Sequence, residues 1–382
     1  MFRILVLLAG LSLMIAACGE TDDTAADDPA GDTTDEAADE SDDEPDAGDA
    51  EDEPDDTADV DDAGDEEADD TAGAEGELVV YSGRNEELVD PIIEEFAAET
   101  GIETDVRYGD TAEMAAQILE EGDNSPADVF FGQDAGALGA LAAEGRLAQL
   151  ADEQLEPVAD GLKDDDGQWV GLSGRARVVA FNTDAVAEDE LPDAIFDYTD
   201  AEWEGRIGWA PTNGSFQAFV TAMRVLEGED ETRQWLEDIR DNGAVAYENN
   251  GGILDAVTAG EVEVGFVNHY YLHPRLTEDP DAPLEQKYYD DGDIGGLINV
   301  AGAGVLDTAP NADAANAFID YMIDEPAQRY FAEETSEIPL TSGVDPIDGV
   351  PSFEELTVPD VDLNRLDDLE GTLDLLAEVG LL

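Results

Sequence analysis

Only 15 of the 382 residues are Lys or Arg, against 99 Asp or Glu, and the formal net charge is −84. Lysine is the scarcest cation, present only as Lys163 and Lys287. A chain this acidic has no basic surface with which to hold nucleic acid or anionic lipid headgroups. Cysteine occurs once, at Cys18, so no disulfide framework can form within the chain. Histidine occurs twice, at His269 and His273. With both inside one five-residue stretch, no Ser-His-Asp order with a nucleophile elbow can be drawn, and no P-loop or dinucleotide fingerprint is present. Nothing in the chain reads as an enzyme.

The N-terminus carries Arg3 and then an apolar run over residues 4–17, too short for a comfortable membrane span. Residues 1–17 read as a secretory signal. The run ends Ile15-Ala16-Ala17-Cys18-Gly19, small residues before the single cysteine, which resembles a bacterial lipoprotein cleavage site with Cys18 as the lipidated residue. Acyl chains on Cys18 would hold the mature protein at the outer face of the cell membrane. Residues 18–76 follow as an acidic tether. Between Glu20 and Glu77 there are 30 acidic residues and no Lys or Arg, so the segment has nothing with which to build a core. Its reach by the coil estimate is about 40 Å or more. Residues 78–382 keep 69 of the acidic residues and 14 of the basic ones, a net charge of about −55. That surface suits a salty habitat, where the Debye length shrinks to about 3 Å at 1 M salt.

The folded part alternates short apolar strands with amphipathic helical windows, an α/β pattern of a size that predicts two lobes. Strands are expected at 78–81, 104–108, 129–131, 176–181, 207–209, 245–247, 262–267 and 297–301. Helices are expected at 86–100, 112–121, 135–144, 216–227, 232–241, 253–259, 311–323 and 327–334, with a closing helix in 363–381. The segment Val264-Gly-Phe-Val-Asn268-His269-Tyr270-Tyr271 places two adjacent phenols at the C-terminal end of a strand, where open α/β sheets bind ligands. Side chains alternate along a strand, so both phenols reach one point only if the backbone leaves the strand there, and Pro274 favours such a break. Phenolates are hard anionic oxygen donors, for which ferric iron is the natural match. Thr212-Asn213-Gly214-Ser215 lies between a strand and a helix, so its N–H groups form either an anion site or an ordinary helix cap.

Several segments in order resemble the ferric-iron-binding proteins of bacterial ABC importers, with the two-lobed type II periplasmic-binding-protein fold. They are Val80-Tyr-Ser-Gly-Arg-Asn85, Glu99-Thr-Gly-Ile102, Ser125-Pro-Ala-Asp-Val-Phe-Phe131, Gly171-Leu-Ser-Gly-Arg-Ala-Arg177, Trp209-Ala-Pro-Thr-Asn-Gly-Ser-Phe216 and Asn268-His-Tyr-Tyr271. The resemblance implies a first lobe of residues 77–176 with 300–345, a second of 177–299, and a tail of 346–382. It implies Fe(III) as the transported ligand, Tyr270 and Tyr271 as its ligands, and a carbonate or phosphate shared with the metal. For that anion it points to Thr212, Asn213, Gly214, Ser215, Asn250 and Asn268, with Arg84, Arg175 and Arg177 to balance its charge. Asn85 stands where relatives place a histidine, Gln133 where they place a carboxylate, and Phe216 where one branch has a third tyrosine. Asp134, Glu86 and Tyr108 are the remaining candidates for the coordination sphere. The implied partners are an ABC permease and its ATPase subunit, reached by a monomer anchored to the membrane.

Three other readings stay open. The same fold could hold an anion such as phosphate or a phosphonate, or an organic cation, without iron. His269 and His273 have the i, i+4 spacing of a zinc pair but lack a third His or Cys, and Pro274 disturbs the helix that would align them. Lastly, an acidic surface protein could collect cations without a cleft.

Overall fold

The computed structural model describes residues 76–289 and 291–382. Cys18, the signal and all but the last residue of the tether lie outside these described residues. In chain order the elements are β1 (Glu77–Ser82), α1 (Glu86–Thr100), β2 (Glu103–Tyr108), α2 (Thr111–Glu121), β3 (Val129–Gly132), α3 (Ala135–Ala143), α4 (Asp152–Leu155) and β4 (Val170–Asn182). Then come β5 (Ile207–Trp209), α5 (Gly214–Leu226), α6 (Glu229–Asp241), β6 (Val245–Ala246), α7 (Asn250–Ala259), β7 (Val264–Asn268), α8 (Leu272–Glu278) and β8 (Leu284–Tyr288). The chain closes with β9 (Ile298–Val305), α9 (Ala312–Ile323), α10 (Glu325–Glu333), β10 (Ile338–Pro339) and α11 (Leu369–Glu378).

Local signals set these boundaries. In α1, Asn85 caps the N-terminus by accepting from the Glu87 N–H at 3.0 Å, and Gly101 ends the helix at φ 76°. Its apolar stripe, Val89, Ile92, Ile93 and Phe96, is buried. Phe96 meets Phe318 of α9 edge-on, ring centroids 5.3 Å apart.

The strands run in the order β2-β1-β3-β9-β4-β7-β5-β6, with β8 and β10 also paired to β4. The 13 residues of β4 are all buried and divide between two sheets. Residues from Val170 to Ala176 pair with β9, and residues from Arg177 to Phe181 pair with β7. The change of partner falls between Ala176 and Arg177. The first half thus holds β1, β2, β3, β9 and β10, and the second β5, β6, β7 and β8, with β4 common to both. In the first half β1 runs parallel to β2 and β3, and in the second β5 runs parallel to β6 and β7. The loops at the C-terminal ends of these parallel strands are where such sheets place ligands.

Two expectations are corrected. Residues 284–288 form β8, although the run Leu-Glu-Gln-Lys-Tyr carries too little apolar pattern to read as a strand. Residues 272–278 form a helix despite Pro274, because the proline falls in the first turn, where no intrahelical N–H bond is lost.

Candidate functional site

A cavity of 770 Å³ opens between the two halves. Its walls come from the loops that leave β1, β2, β3, β5 and β7: Arg84 and Asn85, Asp110 and Thr111, Gln133 and Asp134, Asn213 to Ser215, and Tyr270 with Tyr271. Its floor is built from β4, which joins the halves, through Arg175 and Arg177, and from the neighbouring β9 through Asn299, all buried. A volume of this size lies in the range of pockets that hold small molecules, about 300–1,000 Å³.

Strand β7 ends at Asn268, and residues His269–Tyr271 form a single tight turn before α8. The turn removes the alternation of the strand. Tyr270 and Tyr271 therefore lie on the same side with rings stacked, centroids 4.5 Å apart and planes at 28°. Burial pushes the Tyr271 phenol well above its ordinary range, and a charge on Tyr270 pushes it further, while Arg175 pulls it down. At neutral pH that phenol carries its proton until something displaces it.

Beside the tyrosines, in the same half, α5 presents its N-terminus to the cavity through Asn213, Gly214 and Ser215. The Asn213 side chain caps the helix, accepting from the Ser215 N–H at 3.2 Å and the Ser215 hydroxyl at 2.6 Å. Asn250 sits behind this turn rather than in the cavity. Its Nδ2 donates to Asn213 Oδ1 at 3.3 Å and to Ser215 Oγ at 3.4 Å, while its Oδ1 accepts from the Asn268 N–H at 3.1 Å. One buried amide thus joins the end of the tyrosine strand to the start of α5.

The three arginines differ in their surroundings. Arg84 is fully buried and ion-paired through Nη2 with Glu337 at 2.9 Å, and that carboxylate also accepts from the Ser173 hydroxyl at 2.8 Å. Arg175 donates from Nη2 to the Gln133 carbonyl, and its charge partly offsets the burial that raises the Asp134 carboxyl. Arg177 donates from Nη1 to Asn268 Oδ1 at 3.0 Å and lies over the Phe219 ring at 5.4 Å. Among the described residues, neither Arg175 nor Arg177 makes a salt bridge. Burial draws Arg177 down to about 10, and the adjacent phenols oppose the shift.

The remaining candidates separate on placement. Asn85, Gln133 and Asp134 line the cavity, with Asn85 and Asp134 occupied as helix caps. Glu86 is exposed on α1 and Thr212 is exposed before α5, and neither lines the cavity. Tyr108 points away and donates to Asp90 at 2.8 Å, so it supplies no third phenol here. Phe216 is in the core against Trp209. The zinc pairing is corrected: His269 is buried with Nδ1 accepting from the Ala176 N–H at 3.1 Å, whereas His273 is exposed, and the two do not converge. Among the described residues no group of three or more His, Cys, Asp or Glu comes together to hold a metal. The tail supplies cavity residues that sequence reasoning missed, Leu366, Asp367, Leu369 and Glu370. Their helical spacing was visible, but their place beside the cavity depends on how the tail docks.

Residues 124–367 match the family described as bacterial extracellular solute-binding protein. The chain belongs to that family. Its members bind solutes and are not enzymes, and the fold is the type II periplasmic-binding-protein fold. The major ferric iron-binding protein of Neisseria meningitidis is 31% identical over 314 residues, spanning 80% of this chain and 93% of its own. The iron-bound structure of HitA from Pseudomonas aeruginosa superposes with a TM-score of 0.74 at 32% identity, covering 80% of this chain and 99% of HitA. A Trichodesmium protein solved with iron and citrate ligands gives 0.71 at 26% identity, covering 80% of this chain and all of its own. Among the described residues no helix is long and apolar enough to cross a membrane.

Proposed function

We propose that this protein captures ferric iron with the phenolates of Tyr270 and Tyr271 together with a bound anion, and delivers it to the permease and ATPase of an ABC importer. It acts as a monomer held at the extracytoplasmic face by lipid on Cys18. The lobes that close on the cargo are residues 77–176 with 300–345 and residues 177–299. The relatives named for iron binding and iron uptake support the choice of metal.

The observation that carries the reading is the meeting in one cavity of the stacked phenols, the start of α5 and the buried Arg177, which has no carboxylate partner among the described residues. Ferric iron on two phenolates leaves one positive charge, and Arg175 and Arg177, neither paired with a carboxylate among the described residues, add two more. A dianion such as carbonate or hydrogen phosphate offsets two of these three charges, and the Gly214 N–H at the start of α5 suits it. Arg84 is already neutralised by Glu337, so it belongs to the scaffold of the site rather than to its charge balance. With no cluster of protein carboxylates or histidines among the described residues, the anion and water complete the sphere.

The test is a ferric titration with nitrilotriacetate as carrier, carbonate or phosphate present, and the visible spectrum recorded. A saturable phenolate-to-iron band at one iron per protein is expected, lost in Tyr270→Phe and in Tyr271→Phe while the fold is retained. Absence of the band, with tight phosphate binding that survives both substitutions, would transfer the assignment to an anion-binding protein.

A further inference from the structure

The C-terminal tail touches both halves of the molecule within a few residues. On the first half, the turn Leu363–Arg365 and Leu366 lie against α3 at Gly136 and Gly139. The approach is so close that a Cβ on Gly136 would stand 2.4 Å from the Leu366 carbonyl oxygen. Trp169 Nε1 donates to Asn364 Oδ1 at 3.1 Å, and the Leu363 and Leu366 side chains are buried. On the second half, α11 docks on α5. Arg224 donates to the Asp368 carboxylate at 2.8 Å, to the Asp368 carbonyl at 3.1 Å and to the Thr372 hydroxyl at 2.9 Å. The Thr221 and Thr372 hydroxyls are 2.7 Å apart in a buried contact, and Arg233 pairs with Glu378 at 2.8 Å.

From the anchor at Leu366 to the anchor at Asp368 is two residues, which span at most about 7 Å when extended. Both α3 and α5 line the cavity, and so do Asp367 and Glu370, which are exposed and hence stand at its mouth rather than on its floor. We propose that the tail from residue 363 to 379 is a strap, clasped by Arg224, that fixes the spacing of the two halves along one rim of the cavity. Opening then proceeds as a swing about the strapped rim and the joining strand β4, with the opposite rim as the only gate. The strap acts before any cargo is present and does not depend on which ligand the cavity takes.

If the clasp at Asp368 is removed, the next anchor is Thr372. Unwinding the four residue steps from Asp368 to Thr372 lengthens the span from about 6 Å to about 14 Å. The test places spin labels at Glu120→Cys on α2 and Glu231→Cys on α6 in the full chain carrying Cys18→Ser, without ligand, and measures the distance distribution. In Arg224→Met the distribution is expected to broaden and its mean to move outward by up to about 8 Å. Asp368→Asn, which keeps the Thr372 contact, is expected to shift it in the same direction by less. Arg206→Met, which removes the pair with Glu263 in the second half and leaves the tail alone, serves as the control and is expected to change nothing. Unchanged distributions in Arg224→Met and Asp368→Asn, or equal broadening in the control, would overturn the strap. Should Arg224→Met not fold, Asp368→Asn decides the matter alone. Because no iron enters the measurement, its outcome is separate from that of the ferric titration.

Discussion

Tyr271 holds its proton because burial and the neighbouring phenol both penalise the charged form, so a metal that ligates this phenol must displace that proton. Two sign consequences follow. For the ligand-free protein, a phenol pKa raised on folding adds stability that is complete below about pH 10 and lost as pH climbs above it. Cargo binding runs the other way, since each phenol that ligates releases a proton and affinity therefore falls as pH falls. Between about pH 6 and 8 ferric affinity at fixed anion is expected to drop about tenfold per pH unit for each phenol deprotonated on binding. Competition titrations against a chelator of known pH dependence would measure the slope, and a flat profile would mean that phenolates are not formed. The pair itself was legible in the sequence, because a strand end, two phenols and a nearby proline are all local signals. Asn250 was legible only as an anion contact. That it works as a brace behind the turn depends on how α7 lies against β7, which no local pattern encodes.

Among the elements, α3 shows how a surface can be shaped for a single contact. Gly136 and Gly139 lie three residues apart on one face, and the tail backbone fills the space that side chains would need. Alanine is ordinarily the better helix former by roughly 0.5–1 kcal/mol. At Gly136 the clash with the Leu366 carbonyl reverses this, and Gly136→Ala is expected to destabilise by about 1–3 kcal/mol, the usual cost of overpacking. Gly139→Ala should cost less, its Cβ lying 3.0 Å from the Asn364 carbonyl oxygen. Urea denaturation of the two variants gives the comparison, and a higher midpoint for Gly136→Ala would show that the tail yields easily. The strand and helix alternation was readable because buried runs such as Val129–Gly132 and stripes such as that of α1 are strong patterns. The N-terminal half of β4 was not, since Gly171 and Gly174 break its pattern and a bulge shifts its register between Gly171 and Ser173. Likewise β8 is held by pairing to β4 rather than by its own composition.

At the scale of the whole molecule, the described part carries most of its charge as unpaired carboxylate on the surface. Its ion pairs, such as Arg329 with Glu325 and Glu333, are largely exposed and each contributes under about 1 kcal/mol. Losing them to salt therefore costs less than the relief of repulsion gains, as the Debye length falls from about 8 Å at 0.15 M to about 3 Å at 1 M. The melting temperature is expected to rise from 0.1 to 2 M KCl by scanning calorimetry, and an unchanged value would mean that surface repulsion does not limit stability. Against this negative skin stands Arg177, a buried guanidinium with no carboxylate partner among the described residues. The molecule thus reverses polarity from outside to inside. A bare cation is attracted to the skin and then turned back by the floor, whereas a small anion that passes the skin finds its counter-charge waiting. On the proposed reading, loading would then be ordered, anion first and metal second.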